Sequence, residues 1–126
     1  MDTAELMFFD GRAAALPLYE ALKNRIDMAC IGPVIVKAQK TQISFYNRRM
    51  FACVSFLPLG RAKERPPVYL TVSFGLDHRQ ASPRIGAAVQ ARPNRWTHHV
   101  MISSPEEIDG ELLSWLTEAS TFSATK

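Results

Sequence analysis

The sequence predicts an α+β fold, a two-layer sandwich in which an antiparallel sheet of five to six strands carries an N-terminal and a C-terminal helix on one face. Three observations carry the prediction. Apolar residues recur with a helical period toward both ends, the period falls to two across the middle, and Ser104-Pro105-Glu106-Glu107 forms a helix start after the last alternating segment. Two amphipathic stripes and one apolar sheet face can bury one another, which leaves the second sheet face for another use.

Taken in order, Met7-Phe8-Phe9 with Asp10-Gly11 reads as a short apolar lead-in ending in a turn, with helix setting in toward Arg12 to Ala15. From Pro17 to about Cys30, Leu18, Leu22, Ile26 and Ala29 lie along one stripe, while Glu20, Lys23, Asn24 and Asp27 face water. Tyr19 sits beside the stripe and reads as packing. Gly32-Pro33 ends this helix, the glycine as a left-handed cap and the proline as a breaker.

Strands follow at about 34–38, 42–47, 50–57, 67–75, 86–91 and 96–102. In the fourth, Val68, Leu70, Val72 and Phe74 alternate with Tyr69, Thr71, Ser73 and Gly75; in the second, Ile43 and Phe45 oppose Gln42, Ser44 and Tyr46. In the third, Ala52, Val54 and Phe56 oppose Phe51, Cys53 and Ser55, and in the last, Trp96, His98, Val100 and Ile102 oppose Thr97, His99, Met101 and Ser103. The two adjacent histidines therefore point to opposite faces. At Ser104 the hydroxyl can cap, Pro105 suits the first helical position and Glu107 completes a capping box. Ile108, Leu112, Trp115, Leu116 and Ala119 then form the closing stripe, and the tail from Ser120 to Lys126 is expected to fray.

At 126 residues and 47% hydrophobic, the chain fits one domain, residues 1–126 with a core at about 8–122, without repeat or linker. No apolar run approaches the ~20 residues a bilayer span needs, and the N-terminus carries acid where a signal peptide carries base, so a cytoplasmic protein with no membrane partner is expected. Cys30 and Cys53 lack a second ligand at metal-binding spacing and read as reduced, packed thiols. The net charge of +3 hides a division, since residues 34–103 hold eleven basic side chains against two acidic ones while both ends are acidic. That pattern suits either a positive surface aimed at phosphate or an acidic partner, or strand loops solvated by arginine.

The helix with Pro17-Leu18-Tyr19-Glu20-Ala21-Leu22, the strand Lys40-Thr41-Gln42-Ile43-Ser44-Phe45 and Phe51-Ala52-Cys53-Val54 are followed in order by Tyr69 to Leu76, Trp96-Thr97-His98-His99-Val100 and Ser104 to Asp109. In that order the chain, over about residues 8–122, resembles a bacterial domain-of-unknown-function family, the one numbered fifty-six fifty-five. The resemblance implies the fold and brings no catalytic roles.

Candidate chemistry centres on the uncovered sheet face. His99 is the residue placed for acid–base work there, with Ser44, Cys53, Ser55 and Ser73 as conceivable nucleophiles, while His98 faces the helices as a core histidine. None of these lies in a nucleophile motif, so no catalytic residue is assigned and the sequence points away from an enzyme. No metal site is expected, because His78, His98 and His99 have no paired spacing, and no cofactor either, because Gly60-Arg61-Ala62-Lys63 lacks the rest of a phosphate loop. The expected binding surface is the open face, with Tyr46, Phe51, Tyr69, Thr71, Thr97 and His99, and the expected anion contacts are Lys37, Arg48, Arg49 and Lys63. A homodimer or protein partner through that face is the leading expectation. Nucleic acid or another anion is the alternative, and a small enzyme using His99 comes third.

Overall fold

The computed structural model describes residues 1–29 and 33–125. It is an α+β two-layer sandwich. Three helices, α1 (Thr3–Phe8), α2 (Leu16–Ala29) and α3 (Gly110–Ala124), accompany six strands, β1 (Ile35–Ala38), β2 (Ile43–Tyr46), β3 (Met50–Ser55), β4 (Leu70–Leu76), β5 (Ile85–Arg92) and β6 (Arg95–Ile102). All neighbouring strands pair antiparallel, in the order β1-β2-β3-β4-β6-β5. The chain thus passes over to β5 at the edge and returns through β6 beside β4. Among the described residues no helix is long and apolar enough to cross a membrane.

The alternation read from the sequence places the core. Leu18, Leu22 and Ile26 of α2 and Leu112, Trp115, Leu116 and Ala119 of α3 form one cluster with Ile43, Phe45, Val54, Leu70, Val72, Phe74, Val100 and Ile102 of the sheet. His98 belongs to this buried side as well, fully enclosed and stacked on Phe74 with centroids 5.1 Å apart and planes at 11°.

Four expectations need correction. The N-terminal lead-in is a helix, α1, because Asp2 accepts from the Glu5 N–H at 2.8 Å and Glu5 accepts in return from the Asp2 N–H at 3.1 Å. Gly11, at φ +79°, turns the chain out of it. The closing helix starts five residues later than Ser104 and Pro105 suggest. Glu107 does accept from the Ser104 N–H at 3.2 Å, but that box caps only the single 3₁₀ turn Pro105–Glu107, and Asp109 caps α3 by accepting from the Leu112 N–H at 3.0 Å.

The tail is also ordered through Ala124. Ser120 and Ser123 are buried, Asn47 donates to the Ser120 carbonyl at 2.7 Å, and Ser123 donates to the Arg49 carbonyl at 3.0 Å, so the β2–β3 turn is fastened to the end of α3. Finally, the register slips between Phe45 and Tyr46, pairing Tyr46 with Met50 and leaving Phe51 without a partner on β2. Phe51 is 2% exposed and belongs to the core, so it is not part of an open face. The Gly32 cap, the Cys30 thiol and Lys126 lie outside the described residues.

Candidate functional site

The strand register builds a polar row across the face away from α2 and α3. Ser44 pairs with Cys53, Cys53 with Ser73 and Ser73 with His99, so four strands contribute one side chain each at the same level. The next row, Ser55, Thr71 and Met101, is treated differently. The segment leaving β3 crosses it, and the Thr71 hydroxyl donates to the Leu57 carbonyl at 2.7 Å. Thr71 is fully buried as a result.

Three of the first row, Cys53, Ser73 and His99, line a groove of about 620 Å³ together with Ser55 of the second, while Ser44 is fully buried and does not. Cys53, Ser73, Thr97 and His99 lie along its bottom, Gln42 and Met50 close one end, Leu57 bounds it on the side of the crossing segment, and Phe8, Phe56, Arg12 and Lys40 form the rim. The rim depends on α1. Phe8 stacks on Phe56 at 5.1 Å and 11°, and the Arg12 guanidinium sits 4.4 Å from the centre of the Phe56 ring. Behind it, buried Glu5 accepts hydrogen bonds from the Tyr19 hydroxyl and, at 2.9 Å, from the Lys23 ammonium, which ties α1 to α2.

Electrostatically the groove is one-sided. Two cationic side chains, Arg12 and Lys40, line it and no carboxylate does. Neither cation has a salt-bridge partner among the described residues. On the floor, the Ser73 hydroxyl and His99 Nδ1 are 2.7 Å apart. Burial lowers the His99 pKa from its ordinary value, so the ring is neutral near pH 7 and its other nitrogen is free to accept or donate. Burial pushes the Cys53 thiol up, and the hydrogen bond to Ser73 offsets this only in part. Cys53 is therefore a thiol rather than a thiolate, and a poor nucleophile. Ser73 and His99 thus form a hydroxyl–imidazole pair at hydrogen-bond distance, and among the described residues no hydrogen bond joins a carboxylate to the His99 ring.

Of the residues placed on the open face from sequence, Thr97 and His99 line the groove. Thr71 lies under the crossing segment. Tyr69 precedes β4, is half-buried, donates to the Phe56 carbonyl at 3.1 Å and faces a separate depression of about 350 Å³ beside Arg12 and Ala13 to Ala15. Tyr46 lies near the β1 edge under the Lys37 ammonium at 4.8 Å. The anion set is dispersed in the same way: Lys37 covers Tyr46, Arg48 and Arg49 sit at the β2–β3 turn against α3, and Lys63 lies in the 3₁₀ turn Ala62–Glu64. None of the four lines the groove, whose cations come from the α1 turn and the β1–β2 hairpin.

Two other histidines are accounted for away from the groove. His98 Nε2 accepts from the Gln80 N–H at 2.9 Å, which places its proton on Nδ1, and Nδ1 is buried without a hydrogen-bond partner. Burial lowers its pKa. His78 lies 2.7 Å from Asp77 and 3.6 Å from Glu118 in an exposed cluster, and the hydrogen bond to Asp77 leads in raising its pKa from the ordinary value. The three side chains offer ligand atoms within 4.8 Å of one another, a spacing that could hold a metal ion and that strand-by-strand reading could not reveal.

A family model described as a domain of unknown function (DUF5655) matches residues 6–123. No curated protein and no solved structure matches the chain.

Proposed function

We infer that this chain, which belongs to the family described as domain of unknown function DUF5655, is a binding module that holds a small anionic ligand in the groove on the open face of its sheet. The observation that carries the reading is the lining itself: among the described residues it has two cations, no carboxylate, and a floor of hydroxyl, thiol and imidazole groups. A carboxylate or phosphate would lie between Arg12 and Lys40, and the neutral part of the ligand would meet Thr97, Ser73 and His99. A non-enzymatic role agrees with the raised Cys53 thiol, a poor nucleophile. The free Cys53 suits a reducing compartment, which is the support for a cytoplasmic setting.

A partner protein or a second copy laid over the same face is the competing reading, favoured by Ile35 and Val89, which are 53% and 55% exposed on strands that flank it. Nuclear magnetic resonance titration separates the two. Inorganic phosphate, citrate and a nucleoside monophosphate, added one at a time to labelled protein, should shift the signals of Thr97, His99 and the Arg12 guanidinium together. The effect should weaken with salt and vanish in Arg12→Ala combined with Lys40→Ala. Anions that leave these signals in place, or shift them equally in the double variant, would remove the ligand reading and return the face to a protein partner.

A further inference from the structure

The two edges of the sheet are defended differently. Strand β1 is four residues long, carries Lys37 within it and has α1 packed beside it, all devices that keep an edge from pairing with another chain. Strand β5 is less defended: Leu59 packs against Gly86 and the register slips at its two ends, but the stretch between them carries neither a charge nor a covering helix. It runs eight residues, Ile85-Gly86-Ala87-Ala88-Val89-Gln90-Ala91-Arg92, with no charge or proline before its last residue, and among the described residues β6 is its only strand partner. Five of the eight, Gly86, Val89, Gln90, Ala91 and Arg92, are exposed.

The two ends of this edge differ in charge. Beside its start, Arg84 is engaged by Asp109 at 2.7 Å and Glu111 at 3.2 Å, an acid pair that outweighs the one cation between them. At its far end Arg92 is exposed and has no salt-bridge partner among the described residues. Antiparallel pairing of this edge with itself would set the Arg92 end of one copy beside the Asp109–Glu111 end of the other, and the two-fold axis makes the contact twice. The middle of the edge carries only small side chains at Ala87 and Ala88, while Leu59 packs against Gly86 nearer its start.

We propose that the occupant of the β5 edge is a second copy of this chain, joined β5 to β5 into a continuous antiparallel sheet of twelve strands. The register slips at both ends of β5, between Ile85 and Ala87 and between Gln90 and Arg92, so the regular stretch available is Ala87 to Gln90. Four residues of ladder make a short interface, and the dimer is concentration-dependent. It leaves Arg12, Lys40 and the groove untouched, so it stands or falls separately from ligand binding.

Sedimentation velocity across a dilution series at low salt tests it. The unaltered chain should pass from the 14.1 kDa monomer to a dimer as concentration rises. Arg92→Glu should weaken association by roughly tenfold, since the exposed ion pair is replaced by repulsion at two symmetric places. Adding Glu111→Arg to that variant should restore association, and circular dichroism should be the same for all three. A monomer at the highest concentration, or a dimer indifferent to both charge reversals, would overturn the proposal.

Discussion

Replacing Tyr19 by Phe removes one hydroxyl and nothing else from the junction that holds α1 in place. The ring keeps its contacts with Phe9, centroids 5.2 Å apart, and with Phe45 at 6.4 Å. What is lost is the hydrogen bond to Glu5, a carboxylate only 3% exposed. Burial alone would raise the Glu5 pKa, yet hydrogen bonds from Lys23, Tyr19 and the Asp2 N–H together hold it below its ordinary value. A hydrogen bond to a charged group contributes about 1.5–3 kcal/mol, and here the variant leaves the buried oxygen with Lys23 as its remaining side-chain donor. At roughly 3–5 °C per kcal/mol for a domain of this length, Tyr19→Phe should lower Tm by about 5–15 °C.

The pH dependence carries a sign. Because the folded-state pKa of Glu5 is depressed, its stabilisation is complete above the unfolded carboxylate value and is lost as pH falls through the folded one. The gap between the unaltered chain and Tyr19→Phe should therefore be widest near neutrality and close in acid. Urea unfolding followed by circular dichroism at neutral and acid pH measures it. A Tyr19→Phe midpoint equal to that of the unaltered chain at neutral pH would refute the reasoning, since it would mean that water reaches Glu5 and that α1 is not fastened by this contact.

Three further outcomes follow from the same geometry. His98 has a folded-state pKa below its unfolded value of 6.5, so its contribution is complete above that value and stability should fall as pH drops through it; His99 adds to the same trend, and urea midpoints between about pH 7 and about pH 5 should slope less in His98→Asn. Asp109→Ala removes both the cap of α3 and a partner of Arg84, and thermal unfolding should register a loss of about 0.5–2 kcal/mol. Thr71→Val takes the donor away from the Leu57 carbonyl, which should cost about 1 kcal/mol and speed hydrogen exchange in residues 56–60 while β4 stays protected. Exchange unchanged in that segment would show that Thr71 does not hold it.

Much of the fold was legible because period alone separates helix from strand and one face from the other. The opposite placement of His98 and His99, the stripe of α2 and the apolar face of β4 all follow from it. Period fails wherever a slip or a long-range crossing intervenes. One unpaired residue at the Phe45–Tyr46 bulge takes Phe51 out of the alternating pattern, and nothing local announces it. Thr71 and Ser73 look equivalent in sequence, both on the polar side of β4, yet only the crossing segment after β3 decides that Thr71 is covered and Ser73 reaches the groove. Arg12 and Lys40 were missed for a related reason: each sits in a turn, and tertiary packing alone brings them to one rim. The Asp2 to Glu5 capping pair was a visible signal for α1, but a six-residue helix gives too few turns for an apolar stripe to show.

The groove and the stability of α1 are linked through those turns. Arg12 reaches the rim because α1 ends at Phe8 and Gly11 redirects the chain, and α1 stays in place because Glu5 is held by Tyr19 and Lys23. A ligand that engages Arg12 binds only the arrangement in which α1 is docked, so at about a hundredfold excess over Kd it should stabilise the docked state by about 2.7 kcal/mol. The reverse must also hold: loosening α1 lowers the fraction of molecules able to bind, and apparent affinity falls by that fraction. Tyr19 does not line the groove, so Tyr19→Phe removes no groove contact. It should nonetheless weaken anion binding while leaving the chemical shifts of the bound state unchanged. Equal affinity in this variant, measured alongside a lowered Tm, would separate α1 docking from the site and leave Lys40 as the main cationic contact.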